Sequence, residues 1–147
     1  MGVDIHGSVE FRDAALDEGR DWRYWHAVIN AGIVLDRSYA MFGSLFGIRN
    51  PTDFVPVAAG RGLPDDVSEE VKGNAEGEGH HSYTWITWEE LQSVDWDATG
   101  LIYATDRISR RDALGDSGGL LLALMKPLAE RYGDQCVRLV VWFDNYS

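Results

Sequence analysis

Val137-Arg138-Leu139-Val140-Val141-Trp142-Phe143 is β-branched and aromatic almost throughout, with a single charge, and it closes on Asp144-Asn145. Such a run reads as a central strand covered on both faces. At the other end of the chain, Val3, Ile5, Val9 and Phe11 alternate with Asp4, His6, Ser8 and Glu10, and Gly7 interrupts the apolar row. A period of two is that of a half-buried strand, with the polar set facing solvent. Residues 13–21 are acidic and turn-like, and Trp22–Ile29 is aromatic and β-branched enough for a second strand, forming a hairpin with the first.

Between these ends the period changes. Tyr39, Phe42, Leu45 and Phe46 form a helical stripe, with Asp36 or Ser38 to cap it and Gly47 to stop it. Residues 49–80, rich in proline and glycine, predict a long irregular central loop containing one short helix around Ser68–Lys72, with Gly73–Gly79 as a mobile stretch. Thr87-Trp88-Glu89-Glu90 is a capping box that starts a short helix through Val94. Leu101–Thr105 predicts a strand. Asp116 or Ser117 is expected to cap a leucine-rich helix that ends near Gly133 and is kinked by Pro127. The sum is one α+β domain over residues 1–147. Its sheet is mostly antiparallel and includes both the N-terminal and C-terminal strands, with three to four helices.

Composition sets the limits on function. The 147 residues carry 13 Lys+Arg against 24 Asp+Glu, a formal net charge of −11, with 45% hydrophobic and 12% aromatic residues. That is ample for a core in a chain of this length. The acidic balance argues against direct nucleic-acid binding, which needs a cationic surface to displace counterions. No apolar run approaches the roughly 20 residues of a membrane span, and no basic-then-apolar leader is visible. The lone Cys136 excludes an intramolecular disulfide or a zinc–cysteine cluster and fits a reducing, cytoplasmic setting.

Short motifs need weighing against plainer explanations. Gly115-Asp116-Ser117-Gly118-Gly119 spells the nucleophile motif of chymotrypsin-type proteases, but it runs straight into Leu120-Leu121-Leu122 and reads as a helix cap. Asp4-Ile5-His6-Gly7 looks like the first metal-binding motif of calcineurin-like metallophosphoesterases, whose later blocks are missing here. Even so, side chains two apart on a strand share a face, so Asp4 and His6 could grip one divalent ion. Of the adjacent His80 and His81, at most one should join a given site. Arg49-Asn50-Pro51 and Arg61-Gly62-Leu63-Pro64 could each hold an anion through a forked guanidinium, or simply tie down a loop. The rings of Trp22, Tyr24, Trp25, Trp85, Trp88, Trp96 and Trp142 lack the basic groove of a stacking platform and read as packing.

Taken in order along the chain, several blocks resemble a family of small acidic proteins from bacteriophages and bacteria. They are Met1-Gly2-Val3-Asp4-Ile5-His6, Arg37-Ser38-Tyr39, Ile48-Arg49-Asn50, Arg61-Gly62-Leu63-Pro64, His81-Ser82-Tyr83-Thr84-Trp85 and Phe143-Asp144-Asn145. Val3 replaces the cysteine usual in that family. The resemblance implies a bacterial or phage-infected cytoplasm and carries no activity and no catalytic residues with it.

The expected site follows from the two terminal strands. If they pair near the centre of one sheet, Asp4 and His6 would meet Asp144, with His81 delivered by the preceding loop, as ligands for a divalent metal ion. Arg49, Asn50, Arg61 and Asn145 are the candidate ligand-binding residues around it. Such a site suits a phosphorylated or nucleotide-like small anionic ligand. The alternative is a non-enzymatic acidic interaction protein, a phage accessory or anti-defence factor that binds a host protein.

Overall fold

The computed structural model describes residues 2–15 and 25–145. Along the chain the elements are strand β1 (Asp4–Phe11), strand β2 (His26–Asn30), helix α1 (Ala31–Val34), helix α2 (Tyr39–Phe46), helix α3 (Glu69–Ala75), strand β3 (His81–Thr87), helix α4 (Trp88–Ser93), strands β4 (Thr99–Ile102) and β5 (Asp106–Ser109), helix α5 (Arg110–Tyr132) and strand β6 (Val137–Asp144). The main sheet runs β2-β1-β6-β3 and is antiparallel throughout, while β4 and β5 form a separate two-stranded ribbon. The α+β class and the central position of the C-terminal strand are as expected from the sequence. The predicted hairpin partner of β1 is β2, although residues 22–24 of the expected segment lie outside the described residues.

β6 is buried along its whole length, because both faces of the sheet are covered. On one face Val3, Ile5, Val9, Leu139, Val141 and Phe143 pack with α2, α4 and α5. Phe143 makes an edge-on contact with Phe42 at 5.3 Å between ring centroids. On the other face Val140 and Trp142 pack with Val71 and Ala75 of α3. The tryptophans that the structure describes are accordingly packing residues: Trp25, Trp88 and Trp142 are buried and Trp85 and Trp96 pack at core margins.

The second layer corrects one expectation. The polar face of β1 is roofed rather than solvent-facing, with Ser8 and Glu10 buried. Glu10 stands opposite Arg138 in the β1–β6 register and accepts from its Nε at 2.8 Å. Its other oxygen accepts from the backbone N–H of Ser68 at 2.8 Å, and Ser68 is the N-cap of α3. Arg138 also donates from Nη1 to Asp66 at 2.9 Å, and its guanidinium lies 3.8 Å from the centre of the Trp25 ring. The indole of Trp25 donates to the second Asp66 oxygen at 3.0 Å. A period-two pattern reads polarity and cannot see that a carboxylate will be paired and covered.

Other boundaries also shift. The segment expected to be mobile, Gly73–Gly79, is helical as far as Ala75. The strand expected over Leu101–Thr105 ends at Ile102, because Tyr103 and Ala104 turn in the left-handed region at φ 52° and 61°. The long helix is capped by Ser109, and its break falls at Gly115 (φ 74°, ψ 178°) instead of Pro127. Only glycine takes that conformation cheaply. The expected caps Asp116 and Ser117 follow this break, and Ser117 Oγ accepts from the Asp36 backbone N–H at 3.0 Å. The protease-like pentapeptide is thus helix and break.

Gly7 explains the gap in the apolar row of β1. Its φ is +150°, and a Cβ there would stand 2.1 Å from the carbonyl oxygen of Val140. Gly7→Ala is expected to cost about 2 kcal/mol or more in urea unfolding, since both the backbone conformation and the close strand approach oppose a side chain. Glu10→Ala strands the buried Arg138 guanidinium and should cost about 3–5 kcal/mol. A cost below about 1 kcal/mol in the same assay would show that the pair does not hold the sheet and α3 together.

Candidate metal centre

The β1–β6 register places Asp4 opposite Asp144 and His6 opposite Trp142. Directly opposed residues share a face, so the terminal strands do bring the polar groups of residues 4, 6 and 144 to one end of the second face. His6 Nε2 hydrogen-bonds Asp144 Oδ2. The Asp144 side chain is nearly buried while that of His6 is about two-fifths exposed, so the pair sits at the lip of the sheet, half open to solvent.

The third member is His80. Potential ligand atoms of His6, His80 and Asp144 all lie within 4.8 Å of one another, close enough that the group could hold a metal ion. The His80 ring is 5.4 Å from that of His6 and 6.0 Å from that of Trp142. Its Nδ1 lies 3.1 Å from the carbonyl oxygen of Ala75. A carbonyl can only accept, so Nδ1 carries the proton and Nε2 of the neutral ring keeps its lone pair. This is the arrangement that fixes the tautomer of a metal-ligating histidine. The same carbonyl accepts from the Tyr83 hydroxyl at 2.9 Å. Gly77 makes room for the ring, because a Cβ there would come within 2.5 Å of His80 Cε1.

His81 turns away. Tyr83 and Trp85 pack on the Trp142 side of the sheet, and regular alternation would have put His81 there too. A bulge between His81 and Thr84 shifts the register, and Ser82 sits in it at φ 59°. One extra residue inverts the parity, so His81 stands opposite Phe143 and bonds Asn145 Oδ1 through Nε2 at 2.8 Å. Two expected site residues, His81 and Asn145, therefore pair with each other.

Asp4 is also held elsewhere: Arg37 approaches its Oδ1 through Nε at 2.9 Å and Nη2 at 2.8 Å. The Asp4 hydrogen bond raises the Arg37 pKa above the ordinary guanidinium range, with the charges of Asp4 and Asp144 acting in the same direction against partial desolvation. Of the remaining candidates, Asn50 and Arg61 tie down loops. Asn50 donates to the Phe54 carbonyl at 3.0 Å and accepts from the backbone and hydroxyl of Thr52 at 2.9 and 2.6 Å. Arg49 lies with its guanidinium 5.6 Å from the Tyr39 ring centre. Arg61 grips both oxygens of Glu90 at 2.8 and 2.6 Å and also donates to the carbonyls of Trp85 and Val57.

Two cavities flank the cluster and share His6 and Asn30. One, of about 250 Å³, is lined by His6, Ser8, Asn30, Asn74, His80 and Trp142, together with Gly7. The other, of about 350 Å³, includes Asp4, His6, Asn30, Ile33, Leu35 and Arg37. The Trp142 indole N–H is buried and has no hydrogen-bond partner among the described residues. His80, Arg37 and this indole are the residues that reading the sequence passed over. His80 was weighed only as the alternative to its neighbour, and Arg37 was visible only as part of a block.

The Arg61–Glu90 pair yields a pH expectation. Arg61, with burial opposing and the Thr87 amide and hydroxyl assisting, lowers the Glu90 carboxyl below its ordinary value of 4.5. A depressed folded pKa contributes stability above the unfolded value, and that stability is lost as pH falls through the folded one. Glu90→Gln should therefore destabilise the chain at pH 7 and flatten the decline of its melting temperature below about pH 4.5, as followed by circular dichroism. An unchanged acid slope would refute the assignment.

No described helix is long and apolar enough to cross a membrane. No protein-family model, curated protein or solved structure matches this chain.

Proposed function

We propose that this chain is a divalent-metal-binding protein whose centre, His6, His80 and Asp144, serves a small anionic ligand, phosphorylated or nucleotide-like in class, in the adjoining cavities. The observation that supports this most is the convergence of three ligand groups from β1, the segment before β3, and β6 within 4.8 Å, with His80 already held in its ligating tautomer by Ala75. Two imidazoles and one carboxylate suit zinc, manganese or ferrous iron, and three protein ligands leave coordination positions for water or a ligand oxygen. An ion held there supplies Lewis acidity and lowers the pKa of bound water. The protein's part is to fix the donors: β6 carries Asp144, β1 carries His6, and Ala75 orients His80.

The test is titration of the chelator-treated full chain with Zn²⁺ or Mn²⁺, read by calorimetry and by thermal shift. One site per chain is expected, with stabilisation of about 2.7 kcal/mol at a hundredfold excess over Kd. His80→Ala and Asp144→Asn should each weaken binding by more than about a hundredfold, whereas His81→Ala leaves it unchanged. Gly77→Ala, which removes no ligand but crowds the His80 ring, should weaken binding by about tenfold or more. Absence of stoichiometric binding, or equal loss in the His80 and His81 variants, would overturn the reading.

A further inference from the structure

We propose that Arg37 is the anion-holding residue of this centre and that the ligand it holds is a small phosphate monoester, bound through phosphoryl oxygens shared between the guanidinium and the metal. This rests on the metal-centre reading above. Arg37 is the only lysine or arginine among the described residues lining the two cavities, and it shares its cavity with the ligand residue His6.

The manner of its pairing sets it apart from Arg61 and Arg138. Arg61 engages both oxygens of its carboxylate and two carbonyls, and Arg138 is buried between Glu10 and Asp66. Both are committed to the fold. Arg37 instead directs Nε and Nη2 onto a single oxygen of Asp4, and both side chains of that pair are about two-fifths exposed. An exposed ion pair of this kind is weak and exchangeable. The planar fork of a guanidinium matches two oxygens of a phosphate better than one oxygen of a carboxylate. Asp4 is then the internal competitor that occupies Arg37 until the ligand arrives.

The surroundings narrow the class further. Ser8, Asn30 and Asn74 line the smaller cavity with uncharged donors and acceptors, suited to a hydroxyl- or amide-bearing remainder of the ligand. Volumes of about 250 and 350 Å³ fit a compact molecule. The net charge of −11 repels polyanions while leaving a single phosphate to be drawn in by the metal and Arg37.

The experiment uses the full chain saturated with Mn²⁺, inorganic phosphate as the probe and acetate as the planar control. Binding is followed by calorimetry and by the paramagnetic relaxation of the ³¹P signal. Arg37→Ala should weaken phosphate binding by about tenfold or more, with Arg37→Lys intermediate. Asp4→Asn should tighten it severalfold by releasing the guanidinium, each variant being compared at its own Mn²⁺ saturation. Phosphate affinity indifferent to Arg37→Ala, weakened by Asp4→Asn, or matched by acetate would overturn the proposal while leaving the metal centre standing. Failure of the parent chain to bind Mn²⁺ would overturn the metal centre itself.

Discussion

The fold depends on one pairing, the antiparallel register of β1 against β6, which runs from Asp4 opposite Asp144 to Phe11 opposite Val137. Those strands form the middle of the sheet, so both cores are built on their side chains. The register is held from two sides. On one, Ile5, Val9, Leu139, Val141 and Phe143 interlock with the helical layer. A one-residue slip would turn that row outward and expose it. On the other, Glu10 and Arg138 meet as opposed charges with no solvent to replace either partner. Such a pair contributes less to net stability than to uniqueness, since any alternative register leaves two buried charges unmatched. The extension of Glu10 to the N-cap of α3 ties the second layer to the same registration.

The candidate centre is a by-product of this register at its open end. Around His6, hydrophobic cover gives way to His80, Asn30 and Asn74. His6 and Asp144 are placed by strand pairing. His80 is placed by a carbonyl of α3 and a glycine. Two of the three potential donors are therefore positioned by the sheet and one by the layer that packs on it.

Much of this was legible in the sequence for a definite reason. Val137–Phe143 and the alternation of residues 3–11 carry periodicities that burial alone explains, and the Ser38 and Thr87 caps are chemical signals that act locally. The meeting of His6 with Asp144 followed from pairing the two ends. What was illegible depended on partners distant in the chain or on a local break in the pattern. The burial of Glu10 requires knowing that Arg138 and Ser68 will face it. The exchange of His80 for His81 turns on a single bulged residue, Ser82, whose positive φ has no glycine or asparagine to announce it. Similarly, the end of β4 falls on Tyr103 and Ala104, which carry no turn signature. Nothing local in the sequence announces that Arg37 pairs with Asp4, 33 positions away.

His6 and Asp144 are 138 positions apart in the chain, and Glu10 and Arg138 are 128 apart. Loops of that length close slowly, and a sheet whose central ladder is its longest-range contact must form that ladder late. During synthesis, β1 waits with an apolar row and a lone carboxylate until β6 has been made. Over that interval its unsatisfied edge is open to pairing with other chains. The His6, His80 and Asp144 cluster is likewise complete only once the chain reaches Asp144, because no portion shorter than residues 6–144 contains all three groups.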